Sequence, residues 1–268
     1  MISIIILSWN DRKLVTQAVQ SILQNTDRAN VDYECIVIDN ASDDDSVAML
    51  EQFGDSIRLI KNDHNTGYAG GNNQGYQLAK GDYILLLNQD TIMPPGAIAT
   101  MRDWLEQHTD YGGVTTKLLN VDGTTQYYMH RRFPKLWSLS LALIHKRWPK
   151  FAPQSVQNYL YYDKKFDADF NIEQAAGAVF MVQRSAIEKL GFLFDEKRFP
   201  LYYNDVDLSY RLWHAGYKIR CLCSVAVTHY KGTSVRRIPR WHNTKIYLAA
   251  LWNYFFVLRR SSKSSGVK

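Results

Sequence analysis

Polar side chains able to hold a metal ion follow directly after an unbroken apolar run near residue 85. Residues 83–87 are all apolar or aromatic, and Asn88, Gln89 and Asp90 come next. A run of this length with turn residues on both sides predicts a fully buried strand. Open α/β sheets bind ligands at the carboxyl ends of such strands, where a carboxylate suits Mg²⁺ or Mn²⁺ holding a diphosphate. A strand followed by an Asx turn is the simpler explanation.

Three other groups of polar residues stand just beyond apolar runs. They are Asp39, the trio Asn204, Asp205 and Asp207, and His229. In a doubly wound sheet such positions converge on one edge, where carboxylates and an imidazole can hold a divalent cation and supply one general base. Each group also has a structural explanation: Asp39 as a turn cap, Asp205 as a helix N-cap, and His229 as a packed histidine.

The elements that must position these residues alternate between strand and helix. Strand patterns at Ser3–Ser8, Cys35–Ile38 and Ile57–Lys61 are separated by helical patterns, which predicts a parallel, doubly wound sheet. We expect helices over 14–23, Asp43–Phe53, Asn72–Lys80, Pro95–Gln107, Ser185–Leu190 and from Asp205 to Gly216, and further strands over Tyr83–Leu87, Ile172–Val182, Tyr217–Leu222 and Ser224–Thr228.

A glycine-rich segment, residues 65–75, stands between the third strand pattern and the next helix. Its glycines, Gly67, Gly70, Gly71 and Gly75, would allow the backbone to approach a ligand closely. The spacing differs from the G-x-G-x-x-G dinucleotide fingerprint, and the segment does not follow the first strand, so a dehydrogenase is disfavoured. A flexible turn leading into the helix Asn72–Lys80 is the alternative interpretation.

Charge is distributed unevenly along the 268-residue chain, whose net charge is +6. All 26 acidic residues lie within 1–207, and residues 208–268 contain lysines and arginines but no acid. A basic tail is typical of proteins that bind nucleic acid, anionic lipid or a phosphorylated substrate. The aromatic residues within 236–260 favour peripheral binding to a membrane surface, and we predict no nucleic-acid partner. Basic residues flank them: Arg236, Arg237, Arg240, Arg259 and Arg260. The alternative is a helix that packs on the catalytic domain or in a homodimer interface.

Residues 123–162 also lack acids and interrupt the α/β rhythm. We interpret them as an insertion that borders the acceptor side of the site, with a solvated basic loop or helix pair as the alternative. The chain then divides into a catalytic domain over 1–232 and a basic, aromatic helical extension over 233–268. Within the domain, 1–110 is the nucleotide-binding half and 111–232 the acceptor-binding half.

Cysteine usage and hydropathy bear on the cellular compartment. The three cysteines, Cys35, Cys221 and Cys223, form no disulfide framework, which indicates a reducing environment. We find no signal-peptide pattern and no apolar window of about 18 residues that would span a membrane. We therefore expect a cytoplasmic protein, with peripheral binding to the inner face of the cytoplasmic membrane as a further expectation.

Jointly, these segments resemble family 2 of the glycosyltransferases, which are inverting, nucleotide-sugar-dependent enzymes of the GT-A fold. The resemblance spreads over residues 3 to about 232, in the stretches 3–10, 37–44, 65–75, 87–91, 177–181 and 204–211. The segment Gly67–Asn73 is especially similar to bacterial rhamnosyltransferases that build surface polysaccharides. The implied fold is a doubly wound, mostly parallel central sheet with an acceptor-side insertion and a basic C-terminal helical tail.

The resemblance also implies a role for each motif. The nucleotide-sugar donor, a dTDP- or UDP-sugar, would be bound by Trp9, Asn10, Asp39, Gly67, Asn72, Asn88 and Gln89. A divalent metal, Mg²⁺ or Mn²⁺, would be held by Asp90 in the D-x-D equivalent and by His229. Asp205 would be the catalytic base that activates a hydroxyl of a glycan or lipid-linked acceptor.

Two positions depart from the family pattern. Asn88 replaces the first D-x-D carboxylate, which weakens the metal prediction. Asn204 replaces the usual glutamate, which leaves open whether Asp205 or Asp207 is the base. These two carboxylates are about 200° apart around a helix, so they cannot point the same way. The Q-x-x-R-W pattern of processive synthases is absent, which predicts a single-addition transferase.

Two other function classes deserve comparison with this interpretation. A nucleotidyltransferase would need a glycine-rich, basic triphosphate loop near residue 10, where Trp9-Asn10-Asp11 stands instead. A non-catalytic nucleotide-sugar-binding protein is suggested by the asparagines at 88 and 204. Nucleotide binding measured beside donor hydrolysis would separate binding from turnover.

Overall fold

A nine-stranded sheet flanked by helices forms the centre of the protein, of which a computed structural model describes residues 1–25, 31–230 and 239–258. The strands are β1 (Ile2–Ser8), β2 (Tyr33–Asp39), β3 (Arg58–Lys61), β4 (Tyr83–Asn88), β5 (Thr91–Ile92), β6 (Tyr111–Leu119), β7 (Phe170–Ile172), β8 (Val179–Gln183) and β9 (Lys218–His229). The α-helices are α1 (Arg12–Asn25), α2 (Ser46–Glu51), α3 (Gly67–Leu78), α4 (Ala97–Gln107), α5 (Leu136–Arg147), α6 (Gln154–Tyr159), α7 (Arg184–Leu190), α8 (Asn204–His214) and α9 (Arg240–Trp252).

The strands lie in the order β3-β2-β1-β4-β8-β6-β9-β5, and β7 also pairs with β9. Strands β1 to β4, β6 and β9 run in one direction, whereas β8, β5 and β7 are antiparallel to their neighbours. The predicted α/β fold with a mostly parallel sheet is therefore confirmed. Because β1, β2, β4 and β9 share a direction, their carboxyl ends meet at one edge, as the sequence predicted.

Helices cover both faces of the sheet. Ile4 and Ile6 of β1 belong to one core cluster with residues of α1 and α4, whereas Ile5 belongs to another with residues of α3 and α8. This division arises because successive side chains of a strand point to opposite faces. The unbroken apolar runs in the sequence reflect a sheet that is buried on both sides.

Helix α3 begins at Gly67, earlier than the predicted start at Asn72, so the glycine-rich segment is helical and not a flexible turn. A Cβ added at Gly71 would lie 2.2 Å from Leu7 Cδ1, and one added at Gly75 would lie 2.5 Å from Ile5 Cγ2. These two glycines therefore allow α3 to pack directly on β1. Helix propensity alone disfavours such a start, but the tertiary contact decides it.

The prediction of one strand over Ile172–Val182 is wrong, because β7 ends at Ile172 and β8 begins only at Val179. Residues 173–178 form an irregular buried segment. It is supported by His130, whose Nδ1 accepts the Ala176 N–H at 3.2 Å and whose Nε2–H donates to the Thr116 carbonyl at 2.7 Å. Burial lowers the pKa of His130 to about 4, so the neutral ring can accept and donate in this way.

Other element boundaries also differ from the sequence-based expectation: the helix predicted over Asp43–Phe53 is α2, Ser46–Glu51, and further differences concern β9 and α4. Strand β9 is continuous where two strands were predicted, and a register shift opposite Thr116 and Lys117 accommodates its extra residues. Helix α4 begins at Ala97 after Gly96, whose φ of 74° is in the left-handed region, so Pro95 lies outside the helix. Gly216, with φ of 89°, follows α8 as predicted.

Helix α9 packs against the catalytic domain. Ala250 of α9 and Tyr254 of the π-helical stretch after it (Asn253–Leu258) are fully buried in a cluster with Tyr203, which precedes α8, and with Val206 and Tyr210 of α8. Of the predicted basic flank, Arg236, Arg237, Arg259 and Arg260 lie outside the described residues, as does the boundary between 232 and 233. In the ranges that the structure describes, no helix is long and apolar enough to cross a membrane.

Candidate active site

The carboxyl ends of β1 and β2 are joined by hydrogen bonds between their loops. Asn10, with a φ of 50°, accepts the Asp43 N–H at 2.7 Å through Oδ1, and its own N–H donates to Ser42 Oγ at 2.9 Å. Asp39 accepts both the N–H and the hydroxyl of Ser42, at 2.9 and 2.6 Å. Both Asn10 and Asp39 are buried, and their hydrogen bonds hold together the turns that follow β1 and β2.

Gln89 fixes the end of β1 relative to the end of β4. Its Oε1 accepts the Trp9 N–H at 2.8 Å, and its Nε2 donates to the Trp9 carbonyl at 3.1 Å. The amide of Gln89 thus pairs with the backbone of Trp9 much as a neighbouring strand would. The half-buried Trp9 ring is held beside the sheet edge as a consequence.

The start of α3 is attached to the same edge. Gly67, with φ of 77°, donates its N–H to Asn65 Oδ1 at 2.8 Å and accepts from Asn40 Nδ2 at 3.2 Å. Asn72 is buried and donates to the Tyr68 carbonyl at 2.8 Å within the helix. The structure therefore gives Gly67 and Asn72 local structural partners at the edge where the resemblance places the donor.

Asp90 and His229 are adjacent and almost fully buried. Asp90 Oδ1 lies 3.3 Å from His229 Nε2, and the two side chains are 7% and 3% exposed. Strand pairing brings them together, because Thr91 of β5 is the partner of His229 in β9. The two residues that the resemblance implied as metal ligands are thus neighbours in space.

The tautomer of His229 follows from the orientation of Gln126. Gln126 Nε2 donates to the carbonyls of His229 and Leu119, at 2.7 and 3.1 Å. Its Oε1 consequently faces His229 Nδ1, at 2.9 Å, so Nδ1 carries the proton and donates it. Nε2 therefore faces the Asp90 carboxylate and is the ring nitrogen that could bind a cation together with it.

This pair fits a hexacoordinate cation at two of its positions. Adjacent ligands of octahedral Mg²⁺ are about 3 Å apart, close to the separation of the Asp90 and His229 atoms. Among the described residues no group of three or more His, Cys, Asp and Glu side chains forms a metal site. The remaining ligands would therefore have to be oxygens that do not come from such side chains.

Asp205 is the second residue of α8 and presents a carboxylate whose two oxygens are both hydrogen-bonded. Oδ1 accepts the Val206 N–H at 2.8 Å. Oδ2 accepts from the side chain of Gln174 at 3.2 Å and from the Gly177 N–H at 3.3 Å. Because these donors come from the irregular segment 173–178 and from α8, the carboxylate is fixed between two elements.

Two opposing influences act on the pKa of Asp205. Its removal from water raises the pKa above the ordinary value, and the positive charge of Arg131 works in the opposite direction. Arg131 is connected to the carboxylate through Gln174, whose Oε1 accepts from Arg131 Nε at 3.1 Å while its Nε2 donates to Asp205. The net result is a carboxyl group whose pKa is raised, as suits a general base.

Tyr68 lies near both Asp205 and Asp90. Its hydroxyl donates to the Gly177 carbonyl at 2.9 Å and lies 3.2 Å from Asn88 Oδ1. Burial, followed by the negative charges of Asp205 and Asp90, raises the pKa of this phenol, so it stays protonated. Tyr68 therefore stands within electrostatic reach of both the Asp90–His229 pair and Asp205.

Asp207 has a different environment from Asp205. It is 3% exposed and forms an ion pair with Arg211, whose Nε lies 2.9 Å from Asp207 Oδ2. The same guanidinium donates to the carbonyls of Phe192 and Leu193. Asp207 thus braces α8 against the loop after α7, on a different side of the helix from Asp205.

Sequence reasoning did not identify Gln126, Arg131 and Gln174 as residues that organise this site. It named Tyr68 only as part of the glycine-rich segment and gave it no role of its own. Gln126 and Arg131 lie in the segment interpreted only as a basic insertion. Gln174 lies in the segment predicted as a strand. The only signal for Gln174 in the sequence was a polar residue between Glu173 and a run of small residues.

An open cavity of about 680 Å³ lies beside β3 and the start of α3. Its lining includes Asn62, Asn65 and Thr66, and all three hydrogen-bond with Asn40 at the end of β2. None of the site residues predicted from the sequence lines it. Most of its lining comes from residues 61–74, and neither Asp90 nor His229 contributes to it.

The profile described as Glycosyl transferase family 2 matches residues 3–191. The chain belongs to glycosyltransferase family 2. The match covers Asn10, Asp39 and Asp90 and ends before Asp205 and His229. This protein is therefore a glycosyltransferase.

Several curated relatives of this glycosyltransferase carry glycosyltransferase names. An N-acetylglucosaminyl-diphospho-decaprenol L-rhamnosyltransferase of Mycobacterium tuberculosis is 27% identical over 232 residues, which cover 80% of this chain and 74% of the relative. The O-antigen biosynthesis protein RfbC of Myxococcus xanthus is 27% identical, with 87% of this chain and 17% of that protein covered. The predicted similarity to rhamnosyltransferases is confirmed at this level.

Solved structures show the fold. Crystalline GalNAc-T7 with UDP, GalNAc and Mn²⁺ superposes with a TM-score of 0.62 at 17% identity, covering 85% of this chain and 43% of that one. The S. aureus TarS fragment 1-349 in complex with UDP-GlcNAc gives 0.60 at 15% identity, with 100% and 76% covered. These likenesses bear out the GT-A fold that the sequence predicted.

Proposed function

We propose that this protein is an inverting glycosyltransferase that moves a sugar from a nucleotide-diphosphate donor to a hydroxyl of its acceptor. The observation that carries the proposal is Asp205, whose carboxylate is held by Val206, Gln174 and Gly177 while its pKa is raised. A base with a raised pKa takes a proton more readily than an ordinary carboxylate. Asp205 is also partly exposed, so an acceptor hydroxyl can reach it.

The proposed reaction is a single displacement. The acceptor oxygen forms a bond to the anomeric carbon as the bond from that carbon to the diphosphate oxygen breaks. The proton of the acceptor hydroxyl passes to Asp205, and the diphosphate leaves with the electron pair. Because attack comes from the face opposite the leaving group, the configuration inverts without a covalent sugar intermediate.

Asp90 and His229 are the residues that would hold a divalent metal, Mg²⁺ or Mn²⁺. Their adjacency at 3.3 Å and the orientation of His229 Nε2 toward Asp90 support this part of the proposal. The bound ion would act as a Lewis acid that neutralises the leaving diphosphate. Trp9, Asn10, Asp39, Gly67, Asn72, Asn88 and Gln89 would form the surrounding donor site.

The relatives guide the choice of substrates. An L-rhamnosyltransferase acting on a diphospho-decaprenol compound and an O-antigen biosynthesis protein are among them. We infer a dTDP- or UDP-sugar as donor, with rhamnose as the first sugar to test, and a glycan or lipid-linked acceptor in surface polysaccharide synthesis. A screen of nucleotide-sugars for slow hydrolysis in Mg²⁺ or Mn²⁺ identifies the donor.

The decisive test replaces Asp205 with asparagine. Asp205→Asn should lower sugar transfer by at least ~10²-fold, since general-base catalysis is typically worth that much. Donor affinity, measured by isothermal titration with the nucleotide diphosphate, should stay nearly unchanged. If no nucleotide-sugar is turned over while the nucleotide still binds, a non-catalytic binding protein is the better conclusion.

Asp207→Asn serves as the matched comparison. It removes one partner of a buried ion pair, so the free energy of unfolding should fall by about 3 kcal/mol, while chemistry per folded molecule is little changed. Urea denaturation and turnover of the folded fraction measure the two effects. Wild-type turnover in Asp205→Asn together with loss in a folded Asp207→Asn would move the base to Asp207.

A further inference from the structure

Large apolar side chains that remain exposed are concentrated on two helices. Within the described residues, most of them belong to α5 with its following turn and to α9 with the helical stretch after it. These side chains are Leu136, Trp137, Leu143, Ile144, Trp148, Phe151, Trp241, Leu248, Trp252 and Phe256. Monomeric proteins rarely expose so many large apolar groups together, and a cluster of this kind marks an interaction site.

Helix α9 is apolar on two opposite faces. Ala250 of α9 and Tyr254 of the helical stretch after it point into the protein and are fully buried. Trp241, Leu248 and Trp252 are separated by seven and four residues, so they share one face of the helix. They are 73%, 56% and 61% exposed. A helix that only packed on the catalytic domain would be polar on this outer face.

Helix α5 shows the same arrangement. Leu139 is buried in a cluster with residues of α6, whereas Trp137, Ile144 and Trp148 share another face and are exposed. Leu251, in α9, packs against the cluster that contains Leu139. The two helices are therefore neighbours, and each turns an aromatic face toward solvent.

Charge identifies what kind of partner these faces suit. Lys135, Lys146, Arg147 and Lys150 around α5, and Lys245 on α9, are all exposed. Neither 123–162 nor 208–268 contains an acidic residue. A second copy of this chain would bring like charges together across such an interface, which opposes self-association.

We propose that the exposed faces of α5 and α9, here called the α5–α9 surface, bind an anionic lipid bilayer. Tryptophans with aliphatic neighbours insert at the level of lipid headgroups, and lysines and arginines around them contact anionic lipids. The sequence suggested the C-terminal segment alone, and the structure adds the acceptor-side insertion as an equal part.

The position of this surface links it to the proposed transfer reaction, on which this part of the inference rests. Ala250 of α9 and Tyr254 of the stretch after it pack on α8, whose second residue is Asp205. The outer face of α9 is therefore about one helix diameter, roughly 10 Å, from the element that carries the base. A lipid-linked acceptor anchored in the bilayer would reach the site from that side.

Vesicle flotation of the full chain tests the proposal without any substrate. The chain should float with vesicles of phosphatidylcholine and phosphatidylglycerol at low salt, bind less at high salt, and bind poorly to phosphatidylcholine alone. Failure to float with anionic vesicles at low salt overturns the proposal. Flotation with no donor turnover would leave the surface intact and count against the proposed function instead.

Matched variants locate the binding surface. Trp137→Gln with Trp148→Gln on α5, and separately Trp241→Gln with Trp252→Gln on α9, should each weaken flotation strongly. Val121→Gln changes an exposed apolar residue on the loop after β6 and should bind like the wild type. Because all these side chains are exposed, circular dichroism should show unchanged folding. If either tryptophan double variant floats as the wild type does, the helix that carries it does not take part in membrane binding. That result overturns the joint α5–α9 assignment.

Charge variants add a quantitative check. Lys146→Gln with Lys150→Gln should weaken partitioning roughly 30-fold, from about 1 kcal/mol for each basic residue near an anionic surface. Lys80→Gln with Lys165→Gln removes the same charge from exposed positions outside the surface and should change binding little. If both lysine pairs weakened vesicle binding equally, lipid would be refuted as the partner. Lipid would also be refuted if the chain bound no vesicles and formed a dimer in light scattering that the tryptophan variants abolish.

Discussion

The pKa of Asp205 depends on a balance that a single substitution can test. Removal from water raises this pKa, and Arg131 opposes that rise through its charge. Arg131→Met should therefore raise the pKa further. Since only the deprotonated carboxylate can act as a base, kcat/KM falls as the pH drops through this pKa, and the acid limb of the profile should move to higher pH.

The neighbouring arginine provides the control for that experiment. Arg132 pairs with Asp163 and does not act on Asp205, so Arg132→Met should leave the acid limb in place. The measurement is kcat/KM against pH for the wild type and both variants. An acid limb that stays fixed in Arg131→Met would show that this guanidinium does not tune the base.

The Asp90–His229 pair leads to a prediction about metal affinity. Asp90→Ala should abolish turnover with the fold intact, and His229→Ala should weaken metal binding more mildly, because water can replace one ligand. Gln126→Leu removes the acceptor that fixes the tautomer of His229 and should lower Mn²⁺ affinity about 10- to 100-fold. Electron spin resonance of Mn²⁺ with nucleotide diphosphate measures this without catalysis.

A control for the metal prediction lies nearby on the same loop. Asn120 hydrogen-bonds only Thr124 through its side chain in the contacts described, so Asn120→Ala should bind Mn²⁺ as the wild type does. Near-normal activity of Asp90→Ala in the presence of a chelator would refute the metal site. Unchanged affinity in Gln126→Leu would instead refute only the role of the tautomer.

At the scale of elements, the packing of α3 on β1 is the feature most sensitive to volume. Gly75→Ala places a Cβ 2.5 Å from Cγ2 of the fully buried Ile5, a branched side chain that cannot rotate away. Overpacking of this kind should lower the free energy of unfolding by about 1–3 kcal/mol. Urea denaturation measures it.

The same helix offers a matched glycine. At Gly70 an added Cβ meets Thr66 Cβ at 3.2 Å, and the nearest other atoms are flexible side-chain ends. Gly70→Ala should therefore cost clearly less than Gly75→Ala, since alanine also favours the helix. Equal effects at the two positions would contradict the role assigned to the Gly75 face.

Strand and helix patterns predicted the sheet and its carboxyl edge well, because the chain must alternate buried runs with turns to build a doubly wound sheet. They placed Asp39, Asp90 and His229 at that edge. They could not show that Asp39 accepts from Ser42, or that Gln89 pairs with the Trp9 backbone, because such contacts join residues far apart in sequence. The role of Gln174 could not be predicted because the apolar stretch Ala175–Ala178 has the pattern of a buried strand. In the structure this segment is an irregular loop supported by His130.

On the scale of the whole molecule, α9 and the helical stretch after it pack on α8. Tyr254 is fully buried, and its ring lies 5.5 Å from Tyr203 and 6.1 Å from Tyr210. Tyr254→Ala should lower the free energy of unfolding by about 3–5 kcal/mol, as for other large aromatic deletions. Trp252→Ala, on the opposite and exposed face, should stay within about 0.5 kcal/mol of the wild type.

Thermal and urea unfolding of these two variants decide whether α9 belongs to the folded core. If Tyr254→Ala were as stable as Trp252→Ala, α9 would be an appendage of the domain. If it is destabilised as expected, the domain boundary proposed from composition does not coincide with a boundary of cooperative unfolding.

The two-sided character of α9 has a thermodynamic consequence. A ligand on its outer face and a ligand that orders α8 from within both act on one packing contact, so their binding free energies are coupled. Such coupling is reciprocal. If a bound bilayer increases the protein's affinity for the acceptor by some factor, the bound acceptor increases the protein's affinity for the bilayer by the same factor. If the proposed membrane surface and lipid-linked acceptor are correct, the enzyme is most active at the membrane that carries its acceptor, and no moving lid is needed to keep it idle elsewhere.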